Sequence, residues 1–196
     1  DDAAVGYYTV AVACAGMTGF LFAAIVDSAR PTILEKKHQG NESAFKTNVT
    51  RLYAIIIFLS FMQGVVLSLF SPLIIRLFYG SAYESAIAPL RIMAWFTLFS
   101  NLGMVRNVWI LAEEKQHYLW IINLVGAVSN ILLNIALIPI FGVVGAAIAS
   151  VITQIIANVI TGYVIRPIRK ANSLMVSSLN PKYLIEMVKL YIPGKR

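Results

Sequence analysis

SNILLNIALIPIFGVVGAAIAS, Ser129 to Ser150, decides how the chain is read. It is almost wholly apolar, yet it carries Asn130 and Asn134 one helical turn apart and is then broken by Pro139, Gly142 and Gly145. The apolar runs on either side, Tyr118 to Ile138 and Val143 to Ile165, are each long enough to be a membrane helix. A bilayer core of about 30 Å takes roughly 20 apolar residues in helical form. The break "PIFG" predicts a tight turn between them. Pro139 ends the first helix and Gly142 permits the reversal. Gly145, Ala149 and Thr153 then form a small-xxx-small series, which lets helix backbones approach closely.

Working outward, three more such runs appear: Ala3 to Val26, Leu52 to Ile75 and Ala88 to Ala112. The composition agrees, with 59% hydrophobic and 13% charged residues and a mean hydropathy of +0.76. Soluble domains carry roughly 25% charge. Runs of this length are too long for strands, and a membrane barrel would show alternating segments of about ten residues. The expected fold is an all-α, polytopic membrane helical bundle. It has five transmembrane helices within residues 1–166 (spans about 3–26, 52–75, 88–112, 118–138 and 143–165). A basic tail, 167–196, follows. In the tail, "PKYLIEMVKLYIP" places Lys182, Glu186 and Lys189 on one stripe. It is too short to span, so it reads as an interfacial amphipathic helix or as the first turns of a further span.

Charge orients the bundle. Of sixteen Lys and Arg, five fall in the first connection (Asp27 to Arg51), one in the third (Glu113 to His117) and seven in the tail. These three connections share a face. The opposite face has only Arg76 and Arg91. The positive-inside rule places the basic face and the C-terminus in the cytoplasm. The sequons at Asn41 and Asn48 fall on that face and read as chance matches. The chain begins at Asp1 and enters an apolar run almost at once, without the basic leader of a signal peptide. The expectation is a piece of a longer membrane protein.

The polar groups within the spans are the candidate site. Arg106 is the most expensive, since a central Arg costs about 2.5–3.5 kcal/mol on insertion scales. Two readings stand: snorkelling to the cytoplasmic headgroups, or facing an internal cavity to meet an anion such as a phosphate, which guanidinium matches bidentately. Asn101 and Asn107 share its run. In the fourth run Asn123, Ala127, Asn130 and Asn134 form a stripe about 60° wide. An amide facing lipid has no partner, so the stripe faces protein or water. It either holds neighbouring helices together or contacts substrate. Gln63, Gln154 and Asn158 are further intramembrane amides, suited to interhelical bonds. The candidate substrate contacts are Arg106, Asn101, Asn107, Asn130 and Asn134. The structural positions are Asn123, Pro139, Gly142, Gly145 and Ala149.

Several chemistries find no support. Cys14 is alone, and His38 and His117 lie far apart, so no metal cluster is expected. No phosphate-cradling glycine loop is present. No carboxylate is central in a span; Asp27, poised to pair with Arg30, and Glu113–Glu114 sit at the ends. No nucleophilic or acid–base set is visible, so the chain is not expected to be an enzyme.

"VGYYTVA" (Val5 to Ala11), "FYGSAYESAIAPLRIMAW" (Phe78 to Trp95) and "NILLNIALIPIFGVVGAAIAS" (Asn130 to Ser150) occur in an order and spacing that resembles the C-terminal half of the Wzx-type polysaccharide (O-antigen) flippases. These belong to the multidrug/oligosaccharidyl-lipid/polysaccharide exporter superfamily. The resemblance covers nearly all of residues 5–166. It implies a transporter of twelve or more helices in two lobes, with this chain supplying five helices of the second. The partners it implies are the missing N-terminal lobe, a lipid-linked oligosaccharide and polysaccharide polymerase machinery; nucleic acid is not among them. It implies no cofactor, with coupling to a sodium or proton gradient as an option. It also implies residence in the bacterial inner membrane, in lipopolysaccharide and surface-glycan biosynthesis. The activity is flipping of an undecaprenyl-diphosphate-linked oligosaccharide by alternating access. Rivals are a cation-coupled multidrug exporter or a peptidoglycan lipid-precursor flippase of the same superfamily. A non-transporting membrane scaffold is the alternative from another class.

Overall fold

In a computed structural model the chain is described over residues 2–183, and no strand occurs among them. The elements are α1 (Asp2–Gly16), α2 (Gly19–His38), α3 (Glu42–Tyr79), α4 (Ile87–Ala112), α5 (Leu119–Ile155), a π-helical turn (Ile156–Ile160), α6 (Thr161–Val164) and α7 (Arg169–Ser177). Short 3-10 turns cover Ser81–Ala86, Gln116–Tyr118 and Arg166–Ile168.

α5 holds the reversal that the sequence predicts. Gly142 alone leaves the helical region, at φ 56° and ψ −131°, a left-handed conformation that glycine adopts freely. The first arm therefore turns back on itself, and the two arms run antiparallel. Asn130 bonds Thr153 at 3.3 Å. Gly126 faces Ala157, and a Cβ at Gly145 would collide with the Leu137 carbonyl. Pro139 differs from expectation: helical structure continues through it to Phe141, so the reversal belongs to Gly142. Proline forfeits one ladder bond, and this near the helix end that loss does not stop the turn.

Three helices are long and apolar enough to cross a membrane: Asp2–His38, which joins α1 and α2, then Glu42–Tyr79, and Gln116–Val164, which folds back at Gly142. α4 is not among them; Arg91, Asn101, Arg106 and Asn107 lower its hydropathy. It is nevertheless the centre of the bundle, packed by α3 on one side and by α1, α2 and α5 on others. Two apolar cores lie along it. One joins Val10, Ala11 and Cys14 of α1 to Ile75, Leu90, Met93 and Ala147. The other joins Phe22, Val26 and Ile33 of α2 to Phe45, Val49, Tyr53, Trp109 and Ile110. With each core at a different depth, α1–α2 runs parallel to α4 and α3 runs antiparallel.

Helices outrun the hydropathy boundaries. The first connection is not a loop from Asp27 to Arg51, because α2 continues to His38 and α3 starts at Glu42. Charged residues such as Glu, Lys and Arg are good helix formers, so the apolar edge marks the membrane boundary rather than the helix end. α3 has 38 residues, about 57 Å at 1.5 Å each. Only residues 39–41 connect the two helices. Gly40 (φ 69°) closes α2 with bonds Gly40 N–H to Lys37 O, 3.0 Å, and Asn41 N–H to Lys36 O, 3.1 Å. Asn41 then caps α3, its Oδ1 accepting the Ala44 amide at 3.0 Å. That cap is worth about 1 kcal/mol. One sequon asparagine is thus a helix cap, and the other, Asn48, lies within α3.

At this basic end the first and third connections meet. Lys37 pairs with Glu113 at 2.7 Å and with Glu42, and Lys115 pairs with Glu113 at 3.2 Å. The expected Asp27–Arg30 pair forms at 2.7 Å. Burial pushes the Glu113 carboxyl up, but the hydrogen bonds from Lys37 and Lys115 outweigh it and hold the group below its ordinary range. α7 packs across this end on α3 and α4, burying Ala171, Asn172 and Met175. Most of the expected interfacial helix, from residue 184 onward, lies outside the described residues.

Candidate functional site

The amide stripe lines a cleft between the two arms of α5. Its walls are Ile122, Asn123, Gly126, Ala127 and Asn130 on the first arm and Ser150, Thr153, Gln154, Ala157 and Asn158 on the second, with Phe96 of α4 at the back. The cavity is about 310 Å³. A second, more apolar cavity of about 520 Å³ shares Asn130 and adds Asn134, Tyr8, Ile138 and Gly142 toward the hairpin tip. No lining residue of either is charged.

Helical spacing puts these groups on one seam. Asn134 Nδ2 donates to Asn130 Oδ1 at 3.0 Å, and Asn130 Nδ2 donates to Thr153 Oγ1 at 3.3 Å. Ser150 Oγ donates to the Ala146 carbonyl at 2.9 Å. Its one hydrogen is then used, so the Tyr8 hydroxyl, at 2.8 Å, donates to it. Asn158 Nδ2 donates to Gln154 Oε1 at 2.6 Å. Asn123 and Ala127 remain exposed and Asn130 and Asn134 half-buried. The stripe thus does two things at once: it bridges the arms and leaves amide capacity facing an open cleft. Gly145 and Ala149 are both buried, and it is at Gly145 that the first arm comes too close for a side chain.

Arg106 is turned into the bundle. It is 3% exposed, and Nη1 donates to the Ala157 carbonyl at 2.8 Å. Nη2 reaches Asn107 Oδ1 at 3.3 Å, while Nε, also buried, has no partner. No acidic side chain pairs with it among the described residues. Its charge therefore stands directly behind a wall residue of the cleft. Asn107 itself is exposed. Asn101 faces the other way, donating to Ser60 Oγ at 2.9 Å and tying α4 to α3. The structure thus brings Asn130 and Asn134 together, sets Arg106 behind Ala157 with Asn107 beside it, and places Asn101 apart.

Two other polar groups repair breaks in the helices. Gln63 donates to the Ala15 carbonyl at 3.1 Å, next to the α1–α2 bend. Pro72 leaves the Ser68 carbonyl without its ladder partner, and Ser71 Oγ donates to it at 3.1 Å. Arg91 is exposed and donates to Ser71 Oγ at 3.0 Å. Sequence reasoning missed Ser150, Tyr8 and the glycines Gly103 and Gly126. An isolated glycine inside an apolar helix was the available signal for a close approach.

A model of the MatE family matches residues 1–136, which take in α1 to α4 and most of the first arm of α5. The chain is 22% identical over 150 residues to an uncharacterized membrane protein of Methanocaldococcus jannaschii, covering 76% of this chain and 30% of that protein. The chain thus spans under a third of that relative's length. No solved structure matches. Helices able to cross a membrane, packed round a polar-cored α4, agree with the family match over more than half of the sequence: the chain belongs to the MatE family, membrane transporters of the multidrug/oligosaccharidyl-lipid/polysaccharide exporter superfamily.

Proposed function

We propose that this chain is part of one lobe of a flippase that moves an undecaprenyl-diphosphate-linked oligosaccharide from the cytoplasmic to the outer leaflet by alternating access. The observation that carries the reading is a neutral cleft of amides and hydroxyls backed by a buried guanidinium that has no acidic partner among the described residues. Sugars are recognised by hydrogen bonds from neutral polar groups, and Asn123, Asn130, Gln154 and Asn158 supply both donors and acceptors. Arg106 adds a fixed positive charge behind the wall, which favours an acidic sugar or the diphosphate. The absence of a carboxylate from the cleft lining favours this reading over a cation-coupled drug exporter, whose cargo and coupling ion call for negative charge.

In this reading the five helical passes are five spans, the basic end is cytoplasmic by the positive-inside rule, and an N-terminal lobe supplies the facing half of the cavity. The membrane is the bacterial inner membrane, and the downstream partner is polysaccharide polymerase machinery; coupling to a sodium or proton gradient is an option that would need its carboxylates in the facing lobe. A peptidoglycan lipid precursor carries the same diphosphate and is the second substrate the site would accept.

Deletion of the complete gene, in a strain without redundant flippases, is expected to remove surface polysaccharide. Normal surface glycan in that strain overturns the reading. In the full-length protein Arg106→Ala is expected to reduce export more than Arg106→Lys. Unchanged export with both removes Arg106 from the mechanism.

A further inference from the structure

The second arm of α5 does not remain an α-helix to its end. From Ile156 to Ile160 it widens into a π-turn. Such turns are rare and are frequently found at functional sites. Here three consecutive-region carbonyls are taken by side chains. Thr161 Oγ1 donates to Ile156 O at 2.8 Å, Arg106 Nη1 to Ala157 O at 2.8 Å, and Asn172 Nδ2 to Val159 O at 2.6 Å. One donor comes from the turn's own helix, one from α4 and one from α7.

One anchored residue and its neighbour are cleft residues. Ala157 and Asn158 both line the amide cavity, and Asn158 holds Gln154 there. Two glycines make the clamps sterically possible. A Cβ on Gly103 would collide with the Asn158 amide, and a Cβ on Gly162 would collide with the Asn172 amide. Asn172 is 1% exposed, between Ala171 and Met175 on the buried side of α7.

We propose that Asn172 is a positioning residue: through the Val159 carbonyl, α7 fixes the π-turn and so sets the wall of the amide cleft at Asn158. The π-turn and a plain α-turn over the same residues are two discrete arrangements that differ by one residue, about 100° of rotation. Removing the donor to Val159 frees that carbonyl for the backbone ladder, and the residues beyond the bulge rotate relative to Gln154 and the rest of the second arm, which shifts Asn158 in the cleft wall. An element with two arrangements, biased from both ends, is the physical requirement for coupling distant sites. α7 lies at the basic end of the bundle and the cleft opens between the arms, so displacement of α7 is felt in the cleft. The inference concerns the shape of the cleft and holds for any cargo.

The test uses the full-length protein with a single reporter cysteine, Ala127→Cys, on the first-arm wall, in a background with Cys14→Ser and no other cysteine. Alkylation by N-ethylmaleimide reads cleft access, and amide hydrogen exchange reads the π-turn. Asn172→Asp keeps the shape and loses the donor at neutral pH. It is expected to speed exchange at residues 156–162 about threefold to tenfold and to change the Ala127→Cys alkylation rate by at least about threefold. Gly162→Ala is expected to do the same, and the pair together no more than either alone. Ser177→Ala, on the exposed side of α7, is expected to change neither. Unchanged exchange and alkylation in Asn172→Asp overturn the proposal. So does equal acceleration in residues 10–15, which marks general loosening. Should Asn172→Asp fail to accumulate, Asn172→Ser, whose donor is too short to reach Val159, is read by the same criteria. Neither readout involves export, so loss of the flippase reading leaves this result standing.

Discussion

α4 and α5 invert the relation between hydropathy and burial familiar from soluble proteins. α5 is the longer and more apolar, yet only 22% of the most apolar window in Gln116–Val164 is buried. Ile131, Leu132 and Ile135 are each about three-fifths exposed or more. α4 is not apolar enough to count as a span by itself, and half of its 26 residues are buried, Arg106 and Asn101 included. Lipid is as apolar as leucine, so burial in protein gains an apolar side chain little, whereas a polar one gains its partners. The helix that suits lipid least is therefore the one that the others enclose.

The largest expected effect breaks this contrast at its centre. Arg106→Ala removes the donor to Ala157 and opens a cavity, and should destabilise the full-length protein by about 4 kcal/mol. Thermal unfolding in detergent checks it; wild-type melting would mean that the enclosed charge is idle. The converse change puts an arginine where lipid should be. Val66→Arg, on the exposed face of α3, should cost about 2.5–3.5 kcal/mol of insertion, seen as reduced membrane accumulation. If Val66→Arg accumulates normally, that face is not against lipid.

Smaller changes sharpen the comparison. Asn101→Leu should cost about 0.6–1.7 kcal/mol. Its coupling to Ser60→Ala, measured by a double-mutant cycle, should account for most of that. Additive effects would show that the bond seen at 2.9 Å contributes nothing. At the basic end, Glu113→Gln should cost about 1 kcal/mol at neutral pH. The carboxyl is held below its ordinary value of 4.5. Its contribution is thus fully present above that value and is lost as pH falls through the depressed folded value. The melting temperatures of wild type and Glu113→Gln should draw together as pH falls below the ordinary value and on through the depressed folded one, and a gap that stays constant while the carboxyl is protonated argues against the clasp.

Much of the hairpin was legible in the sequence. The turn at Gly142, the small residues after it and the one-sided amides all follow from helical spacing and lipid's inability to satisfy an amide. The boundaries were less legible, since hydropathy reports where lipid stops while Glu, Lys and Arg carry α2 and α3 on past it. α7 escaped because nine mixed residues give no span signal. The π-turn escaped because no residue type marks it: two of its three side-chain donors, Arg106 and Asn172, come from other helices. The expense of Arg106 could be read from its type, but its partner, a backbone carbonyl 51 residues away, could not.

The reversal at Gly142 also bears on how the protein enters its membrane. From Leu119 to Ile165 there is no charged residue, and the arms are in register from Gly126–Ala157 to the tip. The whole hairpin can pass from the insertion machinery into lipid as one preformed wedge, with only a few uncharged tip residues to carry across. Because the arms run antiparallel, the residues on either side of the hairpin lie at the same end of the bundle, so a single uncharged unit separates two segments that stay neighbours.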